Sequence, residues 1–311
     1  MILEVKDLKK HYPITKPFQD TKYVKALDGV SFSVSKKKTL GIVGESGCGK
    51  STLAKTLMGL ESKTDGSISF EQKDIFSLES KDFRKAIQMI FQDPYSSLNP
   101  RKKAWQLISE PLMINTELSK QECFNQAISL MEKVGLRKEM AERYPHMFSG
   151  GQRQRLGIAR ALALHPKVLI CDEPVSALDV SIQAQVLNLL MQLQDELELT
   201  YLFISHDLHV VNHISDEILV MYLGKIVEYG PREKVFDNPI HPYTKALIAS
   251  SPSVSVDKNK HEPITGELPS PLNPPTGCAF HKRCPIATQK CSQQTPPLES
   301  KEGRMTACFE V

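Results

Sequence analysis

The chain has 311 residues, 41% of them hydrophobic, which is enough to build the core of one large domain with an appendage. Its 39 basic and 36 acidic residues leave a net charge of +3, too weak a field to indicate a nucleic-acid partner. No apolar run approaches the ~18 residues of a membrane span, and residues 1–6 alternate like a strand rather than a secretory signal. We therefore expect a cytoplasmic protein whose membrane contacts come through partners.

The first predicted strand covers residues 2–5, and the apolar residues 40–43 predict a buried parallel strand that leads into a glycine-rich loop and a helix. Glycines allow the positive φ angles with which successive N–H groups surround phosphates, and the helix points its positive dipole end at them. Lys50 adds a charge on the β and γ oxygens of a nucleotide, and Ser51 a hydroxyl for Mg²⁺. The predicted nucleotide-binding residues are Gly44, Glu45, Ser46, Gly47, Cys48, Gly49, Lys50, Ser51 and Thr52.

Cys48 and Gln92 each allow two interpretations. The amides around Cys48 either lower its pKa and make the thiol sensitive to alkylation, or Cys48 is simply a tolerated small residue. Gln92 follows the apolar residues 87–91 and is either a polar loop residue or a sensor that reaches Mg²⁺ and the attacking water. We favour the sensor.

A mostly helical insert follows, at about residues 93–160, and prolines punctuate its entry. One of its helices shows the one-face spacing of a packed helix and ends at Gly135. The apolar residues of that face are Ala127, Leu130, Met131 and Val134.

Ser149, Gly150, Gly151 and Gln152 open a further helix, which is predicted to run to His165 and to end before a proline. The open N–H groups of a helix start bind an anion. This Ser-Gly-Gly-Gln resembles the signature of ATPases that clamp nucleotide between two subunits, which implies that the anion is the γ-phosphate of ATP held in a partner subunit. The arginines at 153 and 155 are expected on the exposed face of this helix. The motif therefore predicts a dimer as well as a ligand.

Two more apolar strands end in polar residues. Residues 168–171 lead to Asp172 and Glu173, whose carboxylates point to different faces. Either Asp172 binds Mg²⁺ and Glu173 deprotonates the attacking water, or the two residues form a solvated strand end. Residues 201–205 lead to His206, which is either an ordinary satisfied histidine or a donor to the γ-phosphate. Between them, an apolar stripe predicts a core helix over about 180–199.

The composition changes beyond residue 239. Residues 266–275 are too rich in proline for a helix or an inner strand and predict an extended connector. Four of the seven cysteines follow it, and because a cytosolic protein seldom keeps disulfides, they indicate a metal or a cluster. Their spacing fits neither the short zinc patterns nor the ferredoxin runs. These residues are Cys278, Cys284, Cys291 and Cys308.

Residues 1–239 resemble the ABC-transporter ATPase family in these motifs. The resemblance implies an α/β fold, with a P-loop NTPase (RecA-like) core, an antiparallel β subdomain and a helical subdomain. It also implies that the loop at Gln92 meets membrane subunits, that residues 176–179, ending in Asp179, communicate across the dimer, and that an N-terminal aromatic residue stacks on adenine. Tyr12 is our choice for that aromatic residue, with Tyr23 as the alternative.

Residues 240–311 are similar to the C-terminal extension of peptide-importer ATPases, and residues 91–101 and 143–148 fit the same branch. The chain most resembles the second (F-type) ATPases of bacterial dipeptide permeases. The resemblance implies a heterodimer with a homologous ATPase, two transmembrane permease subunits and an external peptide-binding protein, with this subunit peripheral on the cytoplasmic face of the inner membrane. It further implies a 4Fe-4S cluster on the four C-terminal cysteines, with zinc or free thiols as alternatives.

The function implied is ATP hydrolysis that drives the uptake of dipeptides or short peptides. Uptake of nickel or of longer oligopeptides by the same class of importer is an alternative. A soluble ABC ATPase for iron–sulfur cluster assembly is an alternative of a different class, although it needs neither the peptide-importer extension nor the insert.

Overall fold

The computed structural model describes residues 1–15, 20–76, 80–250 and 266–311. Their contacts form two compact units, each built from separate stretches of the chain. Unit 1 comprises Met1–Val34, Lys38–Asp74 and Ile204–Val311, and unit 2 comprises Ser35–Lys37 and Ile75–Phe203. Residues on both sides of position 239 thus belong to unit 1, and the predicted domain limits stay a prediction.

The described strands, in chain order, are β1 (Leu3–Ile14), β2 (Lys22–Val34), β3 (Thr39–Val43), β4 (Asp65–Phe70), β5 (Lys73–Asp74), β6 (Ile87–Ile90), β7 (Val168–Asp172), β8 (Thr200–Ile204), β9 (Glu217–Tyr222), β10 (Lys225–Pro231), β11 (Glu299–Lys301) and β12 (Arg304–Thr306). The described helices are α1 (Lys50–Leu57), α2 (Ser80–Ala86), α3 (Pro94–Ser97), α4 (Ala104–Asn115), α5 (Lys120–Lys133), α6 (Gly150–Leu162), α7 (Val180–Leu197), α8 (Leu208–Ile214), α9 (Arg232–Phe236), α10 (Pro242–Ala249) and α11 (Gln289–Gln293). Short 3-10 turns lie at Lys138–Met140, Pro145–Met147 and His281–Arg283. The α/β fold class is confirmed.

Unit 1 contains an antiparallel sheet with the order β2-β1-β4-β5. Its longest pair joins β1 to β2 from Leu3 opposite Val34 to Ile14 opposite Lys22. β1 therefore continues well past the predicted end of the first strand and contains Tyr12, which we had placed after it. The reason is that β2 supplies backbone partners along the whole length of β1, which alternation in residues 2–5 alone does not reveal.

The core of unit 1 contains five neighbouring strands of a second sheet, in the order β11-β12-β10-β9-β3. β3 is buried along its whole length and runs parallel to β9 with Leu40 opposite Glu217. The N–H of Ser205 donates to the carbonyl of Ile42 at 3.3 Å, so the segment before α8 lies beside β3. The carboxyl end of β3, where the glycine-rich loop begins, thus lies at the same edge as residue 206.

Unit 2 combines strands in the order β8-β7-β6 with a group of helices. β6 and β7 are parallel, with Ile87 opposite Val168. Helices α4, α5 and α6 contact one another. The predicted apolar face lies on α5, and Gly135 follows this helix with a φ of 74°. The helical insert is therefore present, and β6 and β7 deliver their carboxyl ends side by side.

Two helices of unit 2 are shorter than predicted. α6 ends at Leu162 rather than His165, and the φ of His165 is 51°, outside the helical region. α7 ends at Leu197 rather than at residue 199, because Glu198 adopts a left-handed conformation with a φ of 56°. A single left-handed residue ends a helix without any glycine or proline signal. Three residues of the predicted apolar stripe of α7 are buried as core, namely Val186, Leu190 and Leu193, whereas Leu197 is half-buried.

Among the described residues, no helix is both long enough and apolar enough to cross a bilayer.

A buried ion pair fixes the end of the chain within unit 1. The guanidinium of Arg304 lies 3.2 Å from the carboxylate of Glu228, and their side chains are 2% and 0% exposed. Glu228 also accepts hydrogen bonds from the N–H groups of Ile240 and His241, each at 3.1 Å. Burial raises the pKa of Glu228, and these hydrogen bonds and the charge of Arg304 oppose that rise. The C-terminal strands are therefore anchored to β10 by a buried ion pair and its hydrogen bonds.

We predict that Arg304→Met lowers the free energy of unfolding by about 3–5 kcal/mol, because the carboxylate of Glu228 stays buried without its charged partner. Urea unfolding followed by circular dichroism measures this change. Arg232→Met is the matched control: the Arg232 side chain is 37% exposed and its ion pair with Glu233 lies at the surface, so the loss stays below about 1 kcal/mol. Equal losses in the two variants would contradict the anchoring role.

Candidate nucleotide site

The glycine-rich loop of unit 1, residues 44–51, is called the phosphate loop. Gly44, Gly47 and Gly49 have φ angles of 151°, 78° and 110°, as the predicted tight turn requires. A Cβ atom on Gly49 would lie 2.3 Å from the carbonyl oxygen of Ala26, so no other residue fits there. Gly49 precedes α1, and the loop therefore delivers its backbone to the N-terminus of that helix.

Lys50 lies inside the curve of the phosphate loop. Its side chain is buried, and its ammonium group donates to the carbonyl oxygens of Gly44 at 2.7 Å and Glu45 at 3.1 Å. Ser51 and Thr52 follow it in the first turn of α1. The lysine charge and the helix N-terminus thus lie together at one anion-binding end of unit 1. The roles of these three residues toward a nucleotide and Mg²⁺ stay predictions.

Glu45 is held by residues far along the chain that the sequence did not single out. Its N–H donates to the hydroxyl of Tyr243 at 2.9 Å, and its carboxylate accepts two hydrogen bonds from Arg283 at 2.8 and 2.9 Å. This backbone amide is therefore engaged by a tyrosine of unit 1. No local pattern marks Tyr243 or Arg283 as neighbours of the phosphate loop.

The thiol of Cys48 is buried, with the residue only 1% exposed. Burial raises the pKa of Cys48, and the charge and hydrogen bonds of Lys50 only oppose that rise. The hypothesis that the loop amides lower this pKa is therefore wrong. The physical reason is that the cost of burying the thiolate outweighs the charge of Lys50 and the backbone hydrogen bonds of Cys48 and Lys50.

His206 and the segment around it lie beside β3 in unit 1. His206 is exposed and follows Ser205, whose hydroxyl accepts from the N–H of Asp207 at 3.0 Å. Asp207 in turn caps α8 by accepting from the N–H of His209 at 2.9 Å. The turn that carries His206 is thus fixed on both sides, and its role at a phosphate stays a prediction.

The two acidic residues of unit 2 have different environments. Asp172 is the last residue of β7 and is buried, whereas Glu173 is half-buried with a φ of 47°. The side-chain amide of Gln92 donates to the carboxylate of Glu173 at 2.8 Å. The structure therefore brings together two of the predicted catalytic side chains from neighbouring strands, one a hydrogen-bond donor and one a base. A non-glycine residue with positive φ stores strain, which is typical of functional sites.

Ser149 caps α6, as the sequence predicts for a helix start. Its hydroxyl accepts from the N–H of Gln152 at 3.3 Å, and the Gln152 side chain accepts from the N–H of Ser149 at 3.1 Å. A Cβ atom on Gly151 would lie 2.5 Å from the side chain of Ile182, which explains the second glycine. The N–H groups of Gly150 and Gly151 therefore open the helix at its positive dipole end.

The arginines of α6 are not on an exposed face, contrary to our expectation. Arg153 is buried and donates twice to the carbonyl of Phe148, at 2.9 and 2.7 Å, while its guanidinium lies 3.8 Å from the ring centre of Tyr95. Arg155 is half-buried and donates to the carbonyl of Val134 at 2.7 Å. Both guanidinium groups therefore tie the start of α6 to neighbouring loops, a long-range role that helical periodicity does not show.

Asp179 precedes α7 and is exposed. Its backbone carbonyl accepts from the N–H groups of Ile182 and Gln183, but its carboxylate makes no capping hydrogen bond. The carboxylate is thus presented to solvent at the end of the 176–179 turn. Its contact across a dimer stays a prediction.

The two candidate adenine-stacking residues lie on the paired strands β1 and β2. Tyr12 is half-buried, and the ammonium group of Lys10 lies 4.7 Å from the centre of its ring. Tyr23 is 53% exposed and pairs with Pro13. The cation covers one face of the Tyr12 ring, and the choice between the two residues stays a prediction.

The four C-terminal cysteines of unit 1 line one cavity, together with His241 and Phe280. We call it the thiol cavity. Burial raises the pKa values of Cys278, Cys284 and Cys308, and it raises that of Cys284 to about 11. Within the described residues, no group of three or more His, Cys, Asp or Glu side chains is arranged to hold a single metal ion. The 4Fe-4S cluster therefore has no direct support here beyond four sulfur donors on one cavity. The four cysteines that line the thiol cavity are Cys278, Cys284, Cys291 and Cys308.

Comparisons with known proteins cover the whole chain. Residues 27–176 match the family model "ABC transporter", and residues 227–291 match "Oligopeptide/dipeptide transporter, C-terminal region". The dipeptide transport ATP-binding protein DppF of Escherichia coli is 54% identical over 100% of this chain and 94% of its own length. The oligopeptide transport ATP-binding protein AppF of Bacillus subtilis is 53% identical, covering 99% of this chain and 96% of its own length.

Solved structures support the same fold. The dimeric ATP-binding cassette MJ0796, in a post-hydrolysis state with ADP and Pi, covers 74% of this chain and 99% of its own, with a TM-score of 0.65 and 26% identity. CbiO1 of Clostridium perfringens, part of the transporter complex cbiONQ, covers 76% of this chain and 91% of its own, with a TM-score of 0.66 and 29% identity.

We predict that N-ethylmaleimide labels Cys48 slowly in the folded chain at pH 8, because the thiol is buried and its pKa is raised. Mass spectrometry of labelled peptides measures the rate at this position. The same chain in urea is the control, since unfolding exposes the thiol and restores its ordinary pKa. Equal labelling rates in the folded and unfolded chain would contradict the buried position.

Proposed function

Because this chain belongs to the ABC transporter family and carries the C-terminal region of oligopeptide/dipeptide transporters, we propose that it is the ATP-hydrolysing subunit of an importer for dipeptides and other short peptides. The observation that carries this proposal is the similarity to DppF, which extends from one end of the chain to the other. A match to the ATP-binding domain alone would support an ATPase without indicating which substrate is transported. The C-terminal match adds the peptide class.

Each predicted site residue has a proposed chemical role. In unit 1, the phosphate loop binds the phosphates of ATP, Lys50 neutralises the β and γ oxygens, and Ser51 binds Mg²⁺. In unit 2, Asp172 binds Mg²⁺ through water, and Glu173 takes a proton from the attacking water. The hydrogen bond from Gln92 to Glu173 supports this assignment, because it holds one oxygen of the carboxylate in place. His206 donates to the γ-phosphate.

Bound ATP then holds two ATPase subunits together. The N–H groups of Gly150 and Gly151, with Ser149, bind the γ-phosphate held by the partner, and Asp179 contacts the partner across the dimer. The partner is a homologous ATPase, and the pair works on two transmembrane permease subunits that receive peptide from an external binding protein. The subunit itself is peripheral, at the cytoplasmic face of the inner membrane.

The sequence also allows three other functions. Transport of longer oligopeptides by the same importer class is the second candidate, and the 53% identity to AppF favours keeping it. Nickel uptake stays an alternative of the same class, without a relative of that kind among the proteins described above. Iron–sulfur cluster assembly has no support, because the C-terminal match and the described relatives concern peptide transport.

We also propose that the thiol cavity binds a 4Fe-4S cluster. Four cysteine sulfurs are the ligand set that such clusters use, and all four line the same cavity. When bound, the cluster would clip together the loops at Cys278, Cys284, Cys291 and Cys308. No step of ATP hydrolysis depends on it.

We predict that Glu173→Gln still binds Mg·ATP but loses turnover by about two to four orders of magnitude, the range of a general base. Cells with this variant as the only copy should also lose uptake of a labelled dipeptide. Hydrolysis by the assembled importer and uptake by cells measure the two effects. Competition by longer peptides and by nickel distinguishes the alternative cargoes.

Glu196→Gln is the matched control for this experiment, because Glu196 is an exposed carboxylate on α7. It should hydrolyse ATP and support uptake like the unmodified chain. Turnover of Glu173→Gln within severalfold of this control would overturn the catalytic role. Normal dipeptide uptake without hydrolysis would overturn the assignment to peptide import.

We predict that anaerobically purified chain contains about four iron and four sulfide per molecule, since four thiols hold one cluster. Metal analysis and an acid-labile sulfide assay measure this, and Cys284→Ser should lower both. Cys123→Ser is the matched control, because Cys123 is buried in α5 of unit 2. Protein with zinc and no sulfide, or with neither, would refute the cluster.

A further inference from the structure

The phosphate loop is held from outside by the C-terminal part of unit 1. Glu45, its second residue, lies opposite Arg283, which is 238 positions further along the chain. The two side chains form a bidentate pair at 2.8 and 2.9 Å, and they are 23% and 7% exposed for Glu45 and Arg283 respectively. A bidentate, largely buried pair fixes geometry more strongly than a surface ion pair does.

A second contact reaches the same residue. The hydroxyl of Tyr243, which is 0% exposed, accepts the N–H of Glu45 at 2.9 Å. Arg283 also donates to the hydroxyl of Tyr222 at 3.3 Å, and the rings of Tyr222 and Tyr243 lie 4.7 Å apart. The backbone and the side chain of Glu45 are therefore held by one connected group of buried residues.

This group continues into the thiol cavity. Phe280 is 2% exposed, and its ring lies 5.3 Å from both Tyr222 and Tyr243. Phe280 and Arg283 lie between Cys278 and Cys284, and Arg283 directly precedes Cys284. A rearrangement of the thiols that moved this short segment would therefore move the guanidinium that holds Glu45.

We propose that Arg283 is a positioning residue for the nucleotide site, which holds the phosphate loop through Glu45 and transmits the conformation of the thiol cavity to it. The inference rests on the proposed ATP binding by this chain. Arg283 does not touch the nucleotide in this scheme. It acts by fixing the loop whose amides bind phosphate, so its loss weakens binding of Mg·ATP.

The test is a double-mutant cycle on the full-length chain, with Mg·ATP binding measured by isothermal titration calorimetry. Arg283→Met and Glu45→Met each remove one charge of the pair and keep a side chain of similar length. The remaining charge then has no partner. We expect each to weaken Mg·ATP binding about tenfold, and the double variant to bind no more weakly than either single variant. Binding as tight as that of the unmodified chain, or losses that multiply in the double variant, would overturn the proposal.

Lys282→Met is the matched control, because Lys282 is the exposed neighbour of Arg283 and should bind Mg·ATP like the unmodified chain. Thermal unfolding of each variant shows whether it is folded. If Arg283→Met does not fold, Arg283→Lys replaces it in the cycle, since lysine keeps the charge but cannot form the bidentate pair. An unmodified chain that fails to bind Mg·ATP would refute the proposed function, whereas equal binding by all variants refutes only the role of Arg283.

Discussion

The candidate site depends on one steric constraint, the close approach of backbone carbonyls to the phosphate loop. A Cβ atom on Gly44 would lie 2.3 Å from the carbonyl oxygen of Met221, and one on Gly49 equally close to that of Ala26. Glycine at both positions allows the loop to pass this close to the two carbonyls. Lys50 is then enclosed by the loop, which places its charge near the N-terminus of α1.

Unit 2 meets a different requirement, the orientation of the Glu173 carboxylate. Glu173 follows a fully buried strand and adopts a positive φ, so its side chain leaves the sheet in a direction unlike that of Asp172. The hydrogen bond from Gln92 then fixes the carboxylate. The paired strands β6 and β7 supply this orientation, because Gln92 and Glu173 follow their carboxyl ends.

The C-terminal extension belongs to unit 1 because buried polar groups bind it there. Glu228 and Arg304 neutralise each other, and His241 is 1% exposed, with burial lowering its pKa to about 3. These contacts make residues beyond 239 part of the structure that carries the phosphate loop. An extension anchored in this way can position Glu45 through Arg283, whereas a flexible one could not.

The sequence by itself determined the strand, glycine loop and helix at Lys50, the cap at Ser149, and the polar strand ends at Gln92 and Glu173. It could do so because each is a local pattern in which neighbouring residues meet the hydrogen-bonding and steric needs of one short segment. Only the tertiary structure decided that Arg153 is buried, that Tyr12 lies within β1, and that Arg283 holds Glu45. Those outcomes depend on partners that are distant in sequence. A contact with such a partner produces no periodic pattern of residue types around either residue, so local sequence does not predict it.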